Sequence, residues 1–209
     1  IANKLCINLL KSNYIIFCSR QRKYTQTIPL VFNDTVMKQV KTTKFLGIHI
    51  DENLNWKCHI NTVSSKISRT IGIMNRLKFF VPENVLTILY NSLILPYLNY
   101  SILTWGGCFP QCEKLLILQK RAIRIIANVN YREHTTPFFA SLMILRINDL
   151  YYLNLGKFMY KYLNNLLPCC FDNFFALTSN IHSHNTRSVS KGNLAHSSRT
   201  SMYKTGLVP

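Results

Sequence analysis

The segment that decides the fold reads Phe45-Leu46-Gly47-Ile48-His49-Ile50-Asp51-Glu52-Asn53-Leu54-Asn55-Trp56. Its first half is rich in β-branched and aromatic residues, which favours a short strand. Its second half is polar, and polar Asp and Asn residues favour a turn. From Trp56 onward the apolar residues recur at spacings of three and four, which is typical of a helix. The sequence therefore predicts a strand that runs through a turn into a long helix.

The residues on either side of this junction predict the fold class. Strand composition recurs at 13–18, 28–32 and 44–50, which predicts a small N-terminal antiparallel sheet. Helical patterns follow from 56 for about six turns, and then at 82–95, 97–105, 111–128 and 149–167. From Thr178 onward the chain is polar and basic, so we expect an irregular tail. The predicted fold is α+β and mostly α, with a small antiparallel sheet, then a helical bundle, then the basic tail.

These patterns also predict three segments. Residues 1–55 would form the sheet, 56–170 the helical bundle, and 171–209 the tail. The sequence has 209 residues and begins at Ile1 without an initiator Met, so it is expected to be a fragment.

The charge of the chain narrows the class of partner. A formal charge of +17 arises from 25 Lys and Arg against 8 Asp and Glu. Such an excess favours polyanions, with nucleic acid as the first expectation and acidic lipid as the second. Two predicted helices carry cations that have no acidic residue three or four positions away, so these are not intrahelical ion-pair ladders. They are Lys66, Arg69 and Arg76 on one helix, and Lys120, Arg121 and Arg124 on another. Phosphate binding is favoured over an ordinary solvated face.

Other kinds of chemistry find little support. The sequence contains no nucleophile elbow, P-loop or dinucleotide-binding glycine motif. Its only adjacent acidic pair, Asp51-Glu52, lies at a strand end, where neighbouring side chains point in opposite directions. Seven scattered cysteines indicate reduced thiols in an intracellular protein. A zinc site is not predicted because its candidate ligands have poor spacing. Those candidates are Cys108, Cys112, Cys169, Cys170, His182 and His184.

Several separated patches of the sequence follow the motifs of one known family. Residues 2–12 resemble A-N-x-L-x-x-N-x-x-K-T, with Ser12 in place of Thr, and 45–56 resemble F-L-G-x-x-x-D-x-x-L-x-W. Residues 89–100 resemble L-Y-x-S-x-x-x-P-x-L-x-Y, and 118–124 resemble L-Q-x-R-A-x-R. In the tail, 184–187 resemble H-x-T-R and 202–206 resemble x-Y-x-x-G. With these patches in this order, the chain resembles the reverse transcriptases of LINE-type (non-LTR) retrotransposons, particularly the jockey-like group, and the shared order makes the resemblance specific.

The resemblance implies that the chain is the C-terminal part of such a polymerase, namely the end of the palm, the thumb and a connector. The parent would be an RNA-directed DNA polymerase that uses Mg²⁺, acts on an RNA template and a DNA primer, and occurs in nucleus and cytoplasm. Its metal-binding aspartates would lie upstream, so this fragment, which lacks the fingers and most of the palm, is expected to be inactive alone. Lys11 matches a palm lysine near the phosphates of the incoming nucleotide, although an ordinary surface lysine explains it equally well. The six basic residues would hold the template–primer backbone.

Two alternatives stay open at this stage. Residues 85–105 form an apolar run long enough to suggest a membrane span, although Pro96 at its middle favours two buried helices and no membrane partner. The two-helix interpretation predicts that Leu93 is buried. A degenerate, non-functional remnant of an element is the third interpretation.

Overall fold

The computed structural model describes residues 8, 12–19, 29–32, 35–172, 174–177, 184, 187–190 and 194–196. Small strands come first and helices dominate the rest, so the predicted α+β, mostly α class is confirmed. The contacts divide the chain into two compact units. The first contains Ile1–Tyr100 and Cys108–Ile147, and the second contains Ser101–Gly107 and Asn148–Pro209. The predicted segments 1–55, 56–170 and 171–209 stay predictions.

The N-terminal strands form three two-stranded sheets. Their bounds are β1 Asn13–Tyr14, β2 Val31–Phe32, β3 Thr35–Val36, β4 Lys38–Gln39, β5 Thr42–Phe45 and β6 Ile48–Asp51. The β2–β3 and β5–β6 pairs are antiparallel, whereas β1 and β4 are parallel.

The prediction of one strand over 44–50 is wrong, because the chain reverses at Leu46 and Gly47. Both residues have positive φ, 45° at Leu46 and 84° at Gly47. Positive φ at both central positions is what a two-residue type I′ hairpin turn requires. Phe45 therefore pairs with Ile48, and the segment forms the β5–β6 hairpin.

Seven helices follow in the continuous part of the structure. They are α1 Lys57–Leu77, α2 Glu83–Leu93, α3 Leu95–Asn99, α4 Ile102–Trp105, α5 Phe109–Ile126, α6 Thr136–Ser141 and α7 Ile147–Leu163. The six-turn helix predicted from Trp56 is confirmed as α1, and its stripe of Ile60, Val63, Ile67, Ile71 and Met74 is buried. α1 packs against α5 in the core of the first unit.

Two helix boundaries differ from the prediction. Pro96 does not end a helix but lies in the first turn of α3, where its missing N–H group costs nothing. The helix predicted over 97–105 is wrong as a single element, because Ser101 has a left-handed φ of 49° and separates α3 from α4. Leu93 is 41% exposed, so its predicted burial is wrong, whereas its neighbour Ile94 is fully buried.

No helix in the described part of the chain combines the length and apolarity needed to cross a bilayer. The interpretation of residues 85–105 as one membrane-spanning helix is therefore wrong, because three separate helices, α2, α3 and α4, divide that stretch.

The second unit contains an aromatic cluster close to the C-terminal end of α7. The rings of Phe158, Tyr162 and Phe175 meet edge to face, with centroids 6.5 Å and 5.0 Å from Phe175. The Tyr162 hydroxyl donates to the Phe175 carbonyl at 2.9 Å. In the tail predicted to be irregular, two short elements are described, α8 Arg187–Ser190 and the strand β8 Leu194–His196, which pairs with β7 Phe175–Leu177.

Candidate nucleic-acid interface

The turn that leads into α1 is organised by the carboxylate of Asp51. Its Oδ1 accepts hydrogen bonds from the backbone N–H groups of Asn53 and Asn55, both at 3.1 Å. Its Oδ2 accepts the N–H of Trp56 at 3.0 Å. A buried carboxylate that accepts three N–H groups fixes the path of the loop and the start of the helix. Asp51 itself is the last residue of strand β6, and its carboxylate binds the turn that follows.

The β5–β6 hairpin is attached to the helices through Tyr100. The Tyr100 hydroxyl donates a hydrogen bond to the Leu46 carbonyl at 2.6 Å. The Tyr100 ring lies against Gly47, where a side chain's Cβ would come within 3.6 Å of it. The hairpin is therefore held in a defined position beside the helices of the first unit.

A second buried contact joins α2 to α5. The fully buried amide of Gln119 donates to the Tyr90 hydroxyl at 2.7 Å and to the Leu145 carbonyl at 2.8 Å, and it accepts the Ile147 N–H at 3.0 Å. Burial raises the pKa of Tyr90 to about 12, despite the opposing effect of the Gln119 hydrogen bond. This network orients α5, the helix that carries Lys120, Arg121 and Arg124. The sequence did not predict the network.

The basic residues of α1 lie away from its buried stripe. Lys66, Arg69 and Arg76 are all exposed. The Lys66 ammonium is 4.9 Å from the centre of the Tyr97 ring on α3, which is close enough for a cation–π interaction. Arg69 and Arg76 are seven residues apart, so they lie on the same side of the helix, two turns apart. α1 contains four cationic residues and no carboxylate.

The basic residues of α5 differ in how firmly they are held. Arg121 is exposed, whereas Lys120 and Arg124 are partly buried. Arg124 Nε donates to the Glu133 carbonyl at 3.0 Å, and its guanidinium lies 5.8 Å from the centre of the Tyr131 ring. Arg124 is thus anchored to the loop after α5, and only part of its guanidinium is available for another ligand.

The exposed sides of the two helices meet at a polar contact. Lys114 Nζ donates to Asn61 Oδ1 at 3.0 Å. Seven residues make about two helical turns, so Arg121 lies on the same side of α5 as Lys114. By the same spacing, Ser68 lies on the same side of α1 as Asn61. Within the described residues, no carboxylate forms an ion pair with any of the six predicted cations. The charge of these six cations is therefore not neutralised by ion pairs within the described residues.

Two buried titratable groups lie within the helices that carry these cations. Burial, with His49 and Lys66 as further causes, lowers the pKa of His59 to about 4, so the ring is neutral at pH 7. Burial raises the pKa of the Cys112 thiol to about 12, which makes it a poor nucleophile. Neither group adds catalytic chemistry to the basic surface.

The remaining predicted site residues are placed as follows. Lys11 lies outside the described residues, and so does His182. In the described part of the chain, none of Cys108, Cys112, Cys169 and Cys170 forms a disulfide bond. Among the residues that the structure describes, no three His, Cys, Asp or Glu side chains are grouped so that they could hold a metal ion.

Three known proteins are similar to this chain. The probable RNA-directed DNA polymerase from transposon X-element of Drosophila melanogaster is 24% identical over 68% of the chain. The RNA-directed DNA polymerase from mobile element jockey is 25% identical over 77% of the chain in Drosophila melanogaster, and 23% identical over 57% of it in Drosophila funebris. These matches relate the chain to RNA-directed DNA polymerases of transposable elements.

The matched region is a small part of each relative. It covers 16%, 17% and 14% of their lengths, so the chain spans about a sixth of the proteins that it matches. No protein-family model matches the chain. No solved structure matches it.

Proposed function

We propose that this chain is the thumb-containing C-terminal part of a retrotransposon RNA-directed DNA polymerase, and that it holds the template–primer duplex through the phosphate backbone. The observation that carries the proposal is the pair of packed helices, α1 and α5, whose cations lack acidic partners in the described part of the chain. The similarity to transposon polymerases supplies the class of ligand.

The arrangement suits backbone contact rather than base reading. Lysine and arginine on helix surfaces neutralise phosphates and release counterions, which makes binding strong at low salt and indifferent to sequence. An A-form duplex has a deep, narrow major groove that side chains cannot read, so a protein that holds it contacts phosphates and sugars. Arg69, Arg76 and Arg121 would supply the most accessible contacts, because all three are exposed and, unlike exposed Lys66, none lies against an aromatic ring within the described residues.

The proposal places the chemistry elsewhere in the parent polymerase. Two Mg²⁺ ions held by carboxylates outside this chain would carry out nucleotide transfer, and this chain would keep the duplex aligned. Its partners would be the RNA template, the DNA primer and the rest of the polymerase, in nucleus and cytoplasm. Lys11 would assist at the phosphates of the incoming nucleotide.

The salt dependence of binding tests the proposal. We expect the purified chain to bind an RNA–DNA duplex with a slope of log K against log salt of about −4 to −5, as for about five neutralised phosphates. Arg121→Gln, Arg69→Gln and Arg76→Gln should each reduce the magnitude of the slope by about 0.9, whatever the sequence of the duplex. Fluorescence anisotropy over a series of salt concentrations measures both quantities.

Lys157→Gln is the matched control. Lys157 is an exposed cation on α7, outside both basic helices, so its replacement should leave the slope unchanged. A flat salt dependence in the unaltered chain would refute the proposal. Equal effects of Lys157→Gln and Arg121→Gln would refute the assignment to α1 and α5.

A further inference from the structure

The turn after α1 presents two phenylalanines to solvent. Phe79 is 76% exposed and Phe80 is 84% exposed, although neither ring has a polar group that water could bind. Single exposed apolar residues are common, but two adjacent and almost fully exposed rings suggest a contact surface.

The backbone beneath these rings is well ordered by hydrogen bonds. The N–H of Lys78 donates to Met74 at 3.0 Å, and the N–H groups of Phe80 and Val81 both donate to the Leu77 carbonyl, at 2.8 Å and 3.1 Å. Pro82 then fixes the entry into α2. The two rings therefore extend from a hydrogen-bonded turn, so little backbone ordering would oppose binding of a ligand to them.

The surroundings of the rings are cationic. The Lys78 ammonium lies 5.0 Å from the centre of the Phe79 ring, and exposed Arg76 is in the last turn of α1. From Lys57 to Pro82 the sequence contains five cations and no carboxylate. Aromatic rings beside unneutralised cations are the combination with which proteins bind single-stranded nucleic acid, since bases stack on the rings while phosphates contact the cations.

We infer that Phe79 and Phe80 form a stacking platform for unpaired nucleotides, with Arg76 and Lys78 holding the adjoining phosphates. This inference rests on the proposed nucleic-acid function and adds a second binding mode to it. The helix faces would contact a duplex through its phosphates, and the turn would contact the bases of a single-stranded extension. Stacking needs no particular base, so the platform is expected to be indifferent to sequence.

Comparison of a dT 12-mer with an abasic 12-mer of the same length isolates the contribution of the bases. We expect the complete chain to bind dT at least fivefold more tightly than the abasic strand, which is the factor that one stacked base supplies. Phe79→Leu/Phe80→Leu should remove this preference and leave the salt slope unchanged, because leucine keeps the apolar surface but has no flat ring. Ile88→Ala, which alters another exposed apolar residue, should keep it.

Each other outcome overturns the inference. If the chain binds both strands equally but with a steep salt slope, the stacking platform is refuted while the proposed function stands. If the chain binds neither the single strands nor the duplex, the stacking platform and the proposed function are both refuted. Binding to phosphatidylserine-containing vesicles that survives the leucine variant, without a preference for dT, would assign the rings to an acidic lipid surface. A dimer that the Phe80→Ser variant dissociates, again without that preference, would assign them to a second copy of the chain.

Discussion

Replacing Asp51 by alanine removes the acceptor of three backbone hydrogen bonds at once. The donors are the N–H groups of Asn53, Asn55 and Trp56, at 3.0 to 3.1 Å. A hydrogen bond to a charged group contributes about 1.5–3 kcal/mol, but one shared carboxylate and partial access of water to the loop reduce the total. We expect Asp51→Ala to lower the free energy of unfolding by about 3 kcal/mol. Asp51→Asn keeps one carbonyl oxygen and should lose about half as much.

Urea denaturation followed by far-ultraviolet circular dichroism measures this loss. Glu52→Ala is the matched control, because its side chain makes none of the three contacts and its replacement should change stability by less than about 0.5 kcal/mol. The reasoning fails if Asp51→Ala costs less than about 1 kcal/mol, or if Glu52→Ala costs as much. Either result would mean that the turn into α1 is set by the flanking strand and helix rather than by the carboxylate.

Two further predictions concern the core. Ile94→Asp should lower the free energy of unfolding, measured in urea, by at least about 3 kcal/mol, because it places an unpaired charge at a fully buried position. Leu93→Asp, at a position that is 41% exposed, should lower it by less than about 1 kcal/mol. Equal losses would contradict the difference in burial between the two positions. The depressed pKa of His59, about 4 against 6.5 when unfolded, means that the unfolded state takes up the proton first as pH falls. Stability should therefore be lost between about pH 6.5 and 4, by up to about 3 kcal/mol. His59→Gln should flatten this part of the stability–pH curve, while exposed His134→Gln should not.

Periodicity predicted the helices well and the turns poorly. The apolar spacing of α1 repeats over six turns, so its existence and its buried face could both be predicted from sequence. The hairpin could not, because Leu46 is an unusual residue at a positive φ and the apolar run on either side of it looks continuous. The break at Ser101 has the same cause: a left-handed residue interrupts a stretch whose composition still favours a helix.

The basic faces could be predicted from spacing and charge, but their attachments could not. The cation–π contact of Lys66 with Tyr97 and the hydrogen bond of Arg124 to Glu133 join residues from different elements. Lys66 and Tyr97 are 31 positions apart, beyond the reach of any local pattern. The sequence therefore predicted which helices carry the cations, but not that Lys120 and Arg124 are partly buried or that Arg124 is already bound within the protein.

The segments that resemble transposon polymerases mostly supply contacts that join parts of this fold. Asp51 holds the turn into α1, Tyr100 holds the hairpin through Leu46, and Gln119 joins α2 to α5. A stabilising role in the fold is enough to account for these three motif residues, so no ligand is needed to explain them. Arg121 is different, because within the described residues it makes no hydrogen bond, ion pair or ring contact that would account for it. Arg121 matches the family motif but has no contact within the protein that explains its presence there, so a bound phosphate is the simplest explanation. Arg121→Gln is therefore the most decisive variant for the proposed phosphate contact.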